Sequence, residues 1–154
     1  MENISNPLLV KYDSVEISEK APLKRQMRGD AGFDLYNSSN EILTIVPGES
    51  ALIDAGIKIK LPDDYCALVY PRSSTFVKKN LLVIPGLLDA GYTGKVYTLV
   101  WHPNINDIDR PVLIEPWERL SQLIILPIPQ INVISVDVLP TTERGYRGFG
   151  STGN

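Results

Sequence analysis

Residues 47–65 read PGESALIDAGIKIKLPDDY. Pro47-Gly48 and Pro62-Asp63 punctuate its two ends as turns do, glycine for its freedom of φ and proline for its fixed one. Between them Ile57-Lys58-Ile59-Lys60 alternates apolar with charged residues. A period of two is what a strand needs when one face meets a core and the other meets water. The stretch is expected to run turn, strand, strand, turn. The same alternation recurs in Val136-Asp137-Val138, and residues 81–101, LLVIPGLLDAGYTGKVYTLVW, read as strand, loop, strand. Residues 1–29 read as an edge strand and an exposed loop. Twelve prolines interrupt the chain, and no stretch keeps a helical period for three turns. The one helix expected is short and follows Pro71-Arg72. There Ser73 or Ser74 can cap the N-terminus, and Lys78 and Lys79 fall near the negative end of the dipole. An all-β fold follows, a jelly-roll-like sandwich or barrel of short strands with one short helix.

At 154 residues the chain suits one domain. Fifteen basic and eighteen acidic residues leave a net charge of −3, which argues against polymeric nucleic acid or an anionic membrane as partner. A phosphate ligand would have to be met by a few placed cations. Cys66 and His102 are each the only residue of their kind, so neither an intramolecular disulfide nor a structural zinc site is available, and a Ser/His/Asp triad would depend on His102. The start, MENISNPLLVKYD, lacks the basic and long apolar regions of a signal peptide. The most apolar tract, residues 123–140, is broken by Pro127, Pro129 and Gln130 before it could span a bilayer. An intracellular protein is expected.

Five segments carry polar residues that a plain β sandwich does not need. In AGFDLY, residues 31–36, Asp34 faces opposite to Phe33 and Leu35, as a ligand or as a solvated strand residue. In PRSST, residues 71–75, a turn enters a helix beside Arg72, which makes an anion site or an ordinary capped helix. In GLLDAGYTGKV, residues 86–96, three glycines bracket Asp89 and Tyr92. An aspartate beside a ring in such a hairpin can act as a general base, or the segment can simply be a bend. In ERLSQLI, residues 118–124, Arg119 and Gln122 sit in a strand-like run as ligands or as surface residues. RGYRGFGSTG, residues 144–153, sets guanidinium groups and hydroxyls beside an aromatic ring, as a phosphate-binding element or as a tail.

In this order and spacing the five segments resemble the five motifs of the trimeric dUTPase family, over residues 31–153, about four fifths of the chain. The resemblance implies a jelly-roll-like fold, a homotrimer with shared active sites, and hydrolysis of dUTP to dUMP and pyrophosphate with Mg²⁺. It divides the chain into a β domain, residues 1–142, and a flexible C-terminal arm, residues 143–154, that closes over an active site when nucleotide binds. By resemblance Asp89 is the general base for water attacking the α-phosphorus, and Tyr92 packs where a 2′-hydroxyl would project. The backbone from Val83 through Gly86 to Leu88 reads the uracil edge. Arg72, Ser73, Ser74 and Gln122 hold the triphosphate, and Asp34 holds Mg²⁺ through water. In the arm, Phe149 lies over the uracil beside Gly150, while Arg144, Ser151 and Thr152 reach toward the terminal phosphate.

The chain also departs from the family pattern. Ser74-Thr75-Phe76 stands where Gly-Leu-Ala is usual, Trp117 where glycine precedes the acid of the fourth motif, Val83 where many bacterial members have asparagine, and Arg147 where glycine is common. Arg72-Ser73-Ser74 and Asp89 to Tyr92 also match dCTP deaminases, which share the fold. The glutamate those enzymes use about ten residues beyond the hairpin aspartate is replaced here by Leu99 and Val100, with no acid before Asp107.

Overall fold

Ten strands and two short helices make up the residues that a computed structural model of the chain describes, 7–103 and 110–146. In chain order they are β1 (Leu9–Tyr12), α1 (Val15–Lys20), β2 (Gly32–Tyr36), β3 (Leu43–Ile45), β4 (Ser50–Lys60), β5 (Tyr65–Pro71), α2 (Ser73–Lys79), β6 (Leu82–Ile84), β7 (Gly86–Leu88), β8 (Lys95–Trp101), β9 (Val112–Ile114) and β10 (Arg119–Pro127). Two four-stranded antiparallel sheets, β1-β4-β8-β6 and β2-β10-β5-β7, are accompanied by a separate two-stranded β3-β9 pair. The jelly-roll-like β expectation holds.

The stretch expected as two strands is a single bent one. Ile57 and Ile59 are buried while Lys58 and Lys60 are half-exposed, as the alternation requires. The break falls at Gly56, where the pairing with β8 shifts register between Asp54 and Lys58. Gly56 has φ +68, and a Cβ there would lie 2.7 Å from Ile17 Cδ1 and 2.8 Å from Ser38 Cβ. Only glycine fits the bulge. Asp54 completes it by accepting from Gly56 N at 2.7 Å and from Lys95 Nζ at 2.5 Å.

Two hydrophobic clusters fill the interior. Leu35, Ile57, Ile59, Val69, Val96 and Leu123 are buried in one, and Ile53, Leu81, Val83, Val100, Ile114 and Leu120 in the other. Each side chain of this size contributes roughly 1.5–3 kcal/mol by leaving water.

Helix α1 is a second helix where a loop was expected. Ser14 caps it by accepting from Ile17 N at 3.2 Å, and Glu16 and Lys20 pair at 2.6 Å one turn apart. Six residues are too few to display a helical period, so its cap is its only sequence signal. Val136-Asp137-Val138 is not a strand. Residues 128–146 carry neither helix nor strand, and Val133 is 95% and Val138 81% exposed. A strand forms only where it pairs with a neighbouring edge, and among the described residues this segment pairs with none.

Candidate active site

Strands β2, β5 and β10 lie side by side, and their register gathers residues far apart in sequence. Gln122 on β10 stands opposite Asp34 on β2 and Tyr70 on β5. A Cβ on Gly32 would lie 2.9 Å from Gln122 Cβ, so glycine there makes room for the Gln122 side chain. The amide of Gln122 donates to Pro71 O at 3.1 Å, fixing the turn into α2. Thr75 then anchors α2 by donating to Leu120 O at 2.7 Å, a buried bond across 45 residues.

Arg72, not Ser73 or Ser74, occupies the N-cap of α2, and no side chain caps it. Ser73 is thereby left exposed at the helix start. At the other end, Lys78 and Lys79 do lie in the last turn, and Asn80 closes the helix in the left-handed region with φ 54.

Around Asp34 the charges converge. Its side chain is only 10% exposed, and it accepts from Arg72 Nε at 3.2 Å, Arg119 Nη1 at 3.3 Å and Gln26 Nε2 at 2.8 Å. The two guanidinium groups offset the cost of burying the carboxylate. Burial, and then the charge of Asp34, pushes the Tyr36 phenol above its ordinary range, against the opposing influence of Arg119, a hydrogen bond with Gln26, and Arg72. Sequence reasoning treats Arg119 as at most a ligand candidate and passes over Gln26 and Tyr36. No local signal marks them, since Gln26 lies in an irregular loop.

Two clefts meet at Arg72, Ser73 and Gln122. One, of about 320 Å³, is polar and also lined by Gln26, Asp30 and Asp34. The other, of about 580 Å³, is mostly apolar and runs past Phe76 and Leu82 to Val83. A smaller recess of about 250 Å³ on the far side of Arg72 is lined by Ser74, Lys78 and Arg119. Asp34, Arg72, Ser73, Gln122 and Val83 are thus brought together, with Ser74 adjoining.

Pro85 separates β6 from β7, and each of those strands is the last of its sheet. Gly86 pairs with Val69 and Leu88 with Ala67, while the Val83 side chain is buried in the second core cluster. Beyond β7, Asp89 is exposed and its carbonyl accepts from Tyr92 N at 3.0 Å. Tyr92 lies over Gly94, where a Cβ would be 2.6 Å from the ring Cζ, and donates to Lys95 O at 2.8 Å. Neither Asp89 nor Tyr92 lines any of the three clefts around Arg72. His102 is fully buried, its ring nitrogens each 3.1 Å from the carbonyls of Pro103 and Arg110. It is a structural residue.

A family model, dUTPase, matches residues 18–153. The chain belongs to the dUTPase family. The deoxyuridine 5'-triphosphate nucleotidohydrolase of Gloeobacter violaceus is 38% identical over 127 residues, 81% of this chain and 84% of that protein. Its counterpart in Corynebacterium diphtheriae is 36% identical over 157 aligned positions, 99% of each chain. Among solved structures, a mutant dUTPase of Staphylococcus bacteriophage 80alpha with dUpNHpp superposes with a TM-score of 0.83 at 26% identity, covering 96% of this chain and 99% of that one. A mutant dUTPase from phage phi11 of S. aureus, described with a structural Mg(II) ion, gives 0.74 at 26% identity, over 86% and 98%.

Within this dUTPase, four of the five motif segments fall in the described residues. Of the fifth, Arg144 is described, beside a turn in which Gly145 N donates to Thr142 O at 3.0 Å. Phe149, Gly150, Ser151 and Thr152 lie outside the described residues, as do Asp107 and Arg147. Trp117, in place of the usual glycine, takes the glycine conformation itself at φ 62 and holds the turn through its N–H to Asn37 O at 3.0 Å. No helix among the described residues is long and apolar enough to cross a membrane.

Proposed function

We propose that this dUTPase-family chain hydrolyses dUTP to dUMP and pyrophosphate, inside the cell, with Asp89 taking the proton from a water that attacks the α-phosphorus in line. The observation that carries the reading is the junction of a polar, guanidinium-lined cleft with an apolar one at Arg72, Ser73 and Gln122. A triphosphate needs the first and a base and deoxyribose suit the second. Arg72 supplies charge and a planar donor pair, and Ser73 and the Gln122 amide add neutral donors that hold the phosphates in the geometry of attack. The uracil is read by edge backbone of β6 and β7 from Val83 to Leu88, with Gly86 allowing close approach. Polar backbone groups left unsatisfied by cytosine give that reading its selectivity. Tyr92 packs against the sugar where a 2′-hydroxyl would collide.

No cluster of three metal-ligating side chains occurs among the described residues, so a full protein cage for Mg²⁺ is not on offer. The donor set fits a cation held mainly by phosphate oxygens, with Asp34 accepting from its waters. Such an ion supplies charge neutralisation on the triphosphate.

Because Asp89 and Tyr92 line none of the clefts around Arg72, one chain does not complete the site. A homotrimer in which another copy brings Asp89 to the cleft is the arrangement we infer. The exposed apolar side chains of residues 128–139, Ile131, Val133, Ile134 and Leu139 among them, support an assembled state. Residues 143–154 form the lid in this reading, with Phe149 stacked on the base, Gly150 giving close approach, and Arg144, Ser151 and Thr152 at the terminal phosphate.

The test is an assay of the purified protein with dUTP, dCTP, dTTP and UTP in Mg²⁺, following pyrophosphate and ammonia. Pyrophosphate from dUTP alone is expected, and ammonia from dCTP overturns the reading in favour of a deaminase. Asp89→Asn should bind dUTP but turn it over at least about a hundredfold more slowly. Co-refolding inactive Asp89→Asn with inactive Arg72→Ala should restore up to about a quarter of the activity, the share of sites that draw intact residues from two copies. No recovery rejects the shared site.

A further inference from the structure

We propose that Gln26 is a positioning residue for Asp34, holding that carboxylate in place when the triphosphate arrives; the proposal rests on the assignment of Asp34 and Arg72 above. Among the described residues the Asp34 carboxylate has three side-chain donors: Arg72 at 3.2 Å, Arg119 at 3.3 Å and Gln26 at 2.8 Å. Two of these are guanidinium groups: Arg72 lines the phosphate cleft, and Arg119 lines the recess that shares Arg72 with it. A polyanion of three or more charges competes with a single carboxylate for them, and bidentate guanidinium–phosphate pairing draws such side chains away. The Gln26 amide is neutral, so the phosphate draws it less strongly than it draws the two guanidinium groups. It is the partner that stays.

The loop that carries Gln26 is fastened on both sides of it. Asp34 N donates to Lys24 O at 3.2 Å, and the Arg25 guanidinium lies 4.6 Å from the Phe33 ring centroid. Beyond Gln26, Met27 N donates to Asp30 Oδ2 at 2.9 Å and Asp30 N returns a bond to Met27 O at 3.1 Å. These contacts place the amide in advance, so little ordering entropy is lost when it is needed. Gln26 and Asp34 line the same cleft of about 320 Å³. An Asp34 carboxylate freed of its guanidinium partners and without Gln26 could rotate about χ2, and its oxygens would no longer face the waters of a phosphate-bound cation.

The experiment is a double-mutant cycle read by calorimetry on full-length protein. Binding of a non-hydrolysable α,β-imido analogue of dUTP is measured with Mg²⁺ and in EDTA, for the natural chain, Gln26→Leu, Asp34→Asn and the double variant. Gln26→Leu is expected to cut the Mg²⁺-linked tightening about fivefold, to leave binding in EDTA within twofold, and to change nothing in the Asp34→Asn background. Melting temperatures of the variants confirm folding, since Gln26 is exposed in a loop. Equal loss in both backgrounds, a parallel loss in EDTA, or no loss overturns the role of Gln26 and leaves that of Asp34 standing. If the natural chain shows no Mg²⁺-linked tightening, or Asp34→Asn does not reduce it, the assignment of Asp34 itself is wrong and the proposal falls with it.

Discussion

Replacing Trp117 separates what its ring contributes from what its backbone costs. Trp117 sits at φ 62, its side chain packs against the first core cluster, and Lys20 Nζ lies 4.9 Å from its ring centroid. Trp117→Ala and Trp117→Gly both remove that packing and the cation–π contact. Each should lie about 2–3 kcal/mol below the natural chain, less than the loss for a fully buried aromatic. The two variants differ in the backbone. Alanine keeps a Cβ in the left-handed region at a cost of roughly 1–2 kcal/mol. Glycine avoids that but loses roughly 0.5–1 kcal/mol more chain entropy on folding. The difference favours glycine by about 0.7 kcal/mol, or about 2 °C in melting temperature for a chain of this size. Urea and thermal unfolding at one fixed protein concentration measure it, because the proposed homotrimer would make the midpoint concentration-dependent. An alanine variant as stable as the glycine variant, or more so, would refute the strain argument.

Thr98 and Ser121 share a buried hydroxyl–hydroxyl bond of 2.6 Å between the sheets. Thr98→Val should cost about 1–3 kcal/mol by orphaning Ser121, and Thr98→Val with Ser121→Ala should cost less than the two single changes summed, as denaturant midpoints will show. Gly94→Ala would drive a Cβ to 2.6 Å from Tyr92 Cζ. The displaced ring should lower the preference for dUTP over UTP about tenfold in kcat/KM, and an unchanged ratio removes Tyr92 from sugar selection. Hydrogen bonds first to Asp54 and then to Asp13 raise the Lys95 ammonium above its ordinary 10.5. A raised folded value means its stabilisation is fully present below about pH 10.5 and is lost as pH climbs through the higher folded value. Urea midpoints should therefore fall more steeply above that pH in the natural chain than in Lys95→Met.

Much of the site is written locally. Asp34 is placed by strand alternation, Arg72 and Ser73 by the turn into a helix, and Asp89 and Tyr92 by a hairpin in which Gly94 admits the ring. Other features depend on contacts between distant segments. Gln26 and Arg119 reach Asp34 from an irregular loop and from a strand 85 residues away. Trp117 takes a glycine conformation because Asn37 O captures its N–H, and nothing in the residue type foretells that. Alternation at Val136 and Val138 reads as a strand and is not one in this chain, because a strand's backbone groups require an edge to pair with.

By itself the sequence determined the β class, the order of the five motif segments and the residue types available for phosphate, base and water. These follow from periodicity and chemistry carried by neighbours in the chain. Tertiary structure alone decided that Asp34 is shared among Gln26, Arg72 and Arg119, that Val83 turns its side chain to the core, and that Asp89 stands apart from the cleft Arg72 lines. Such pairings depend on sheet register and on the packing of segments tens of residues apart, which no local pattern encodes.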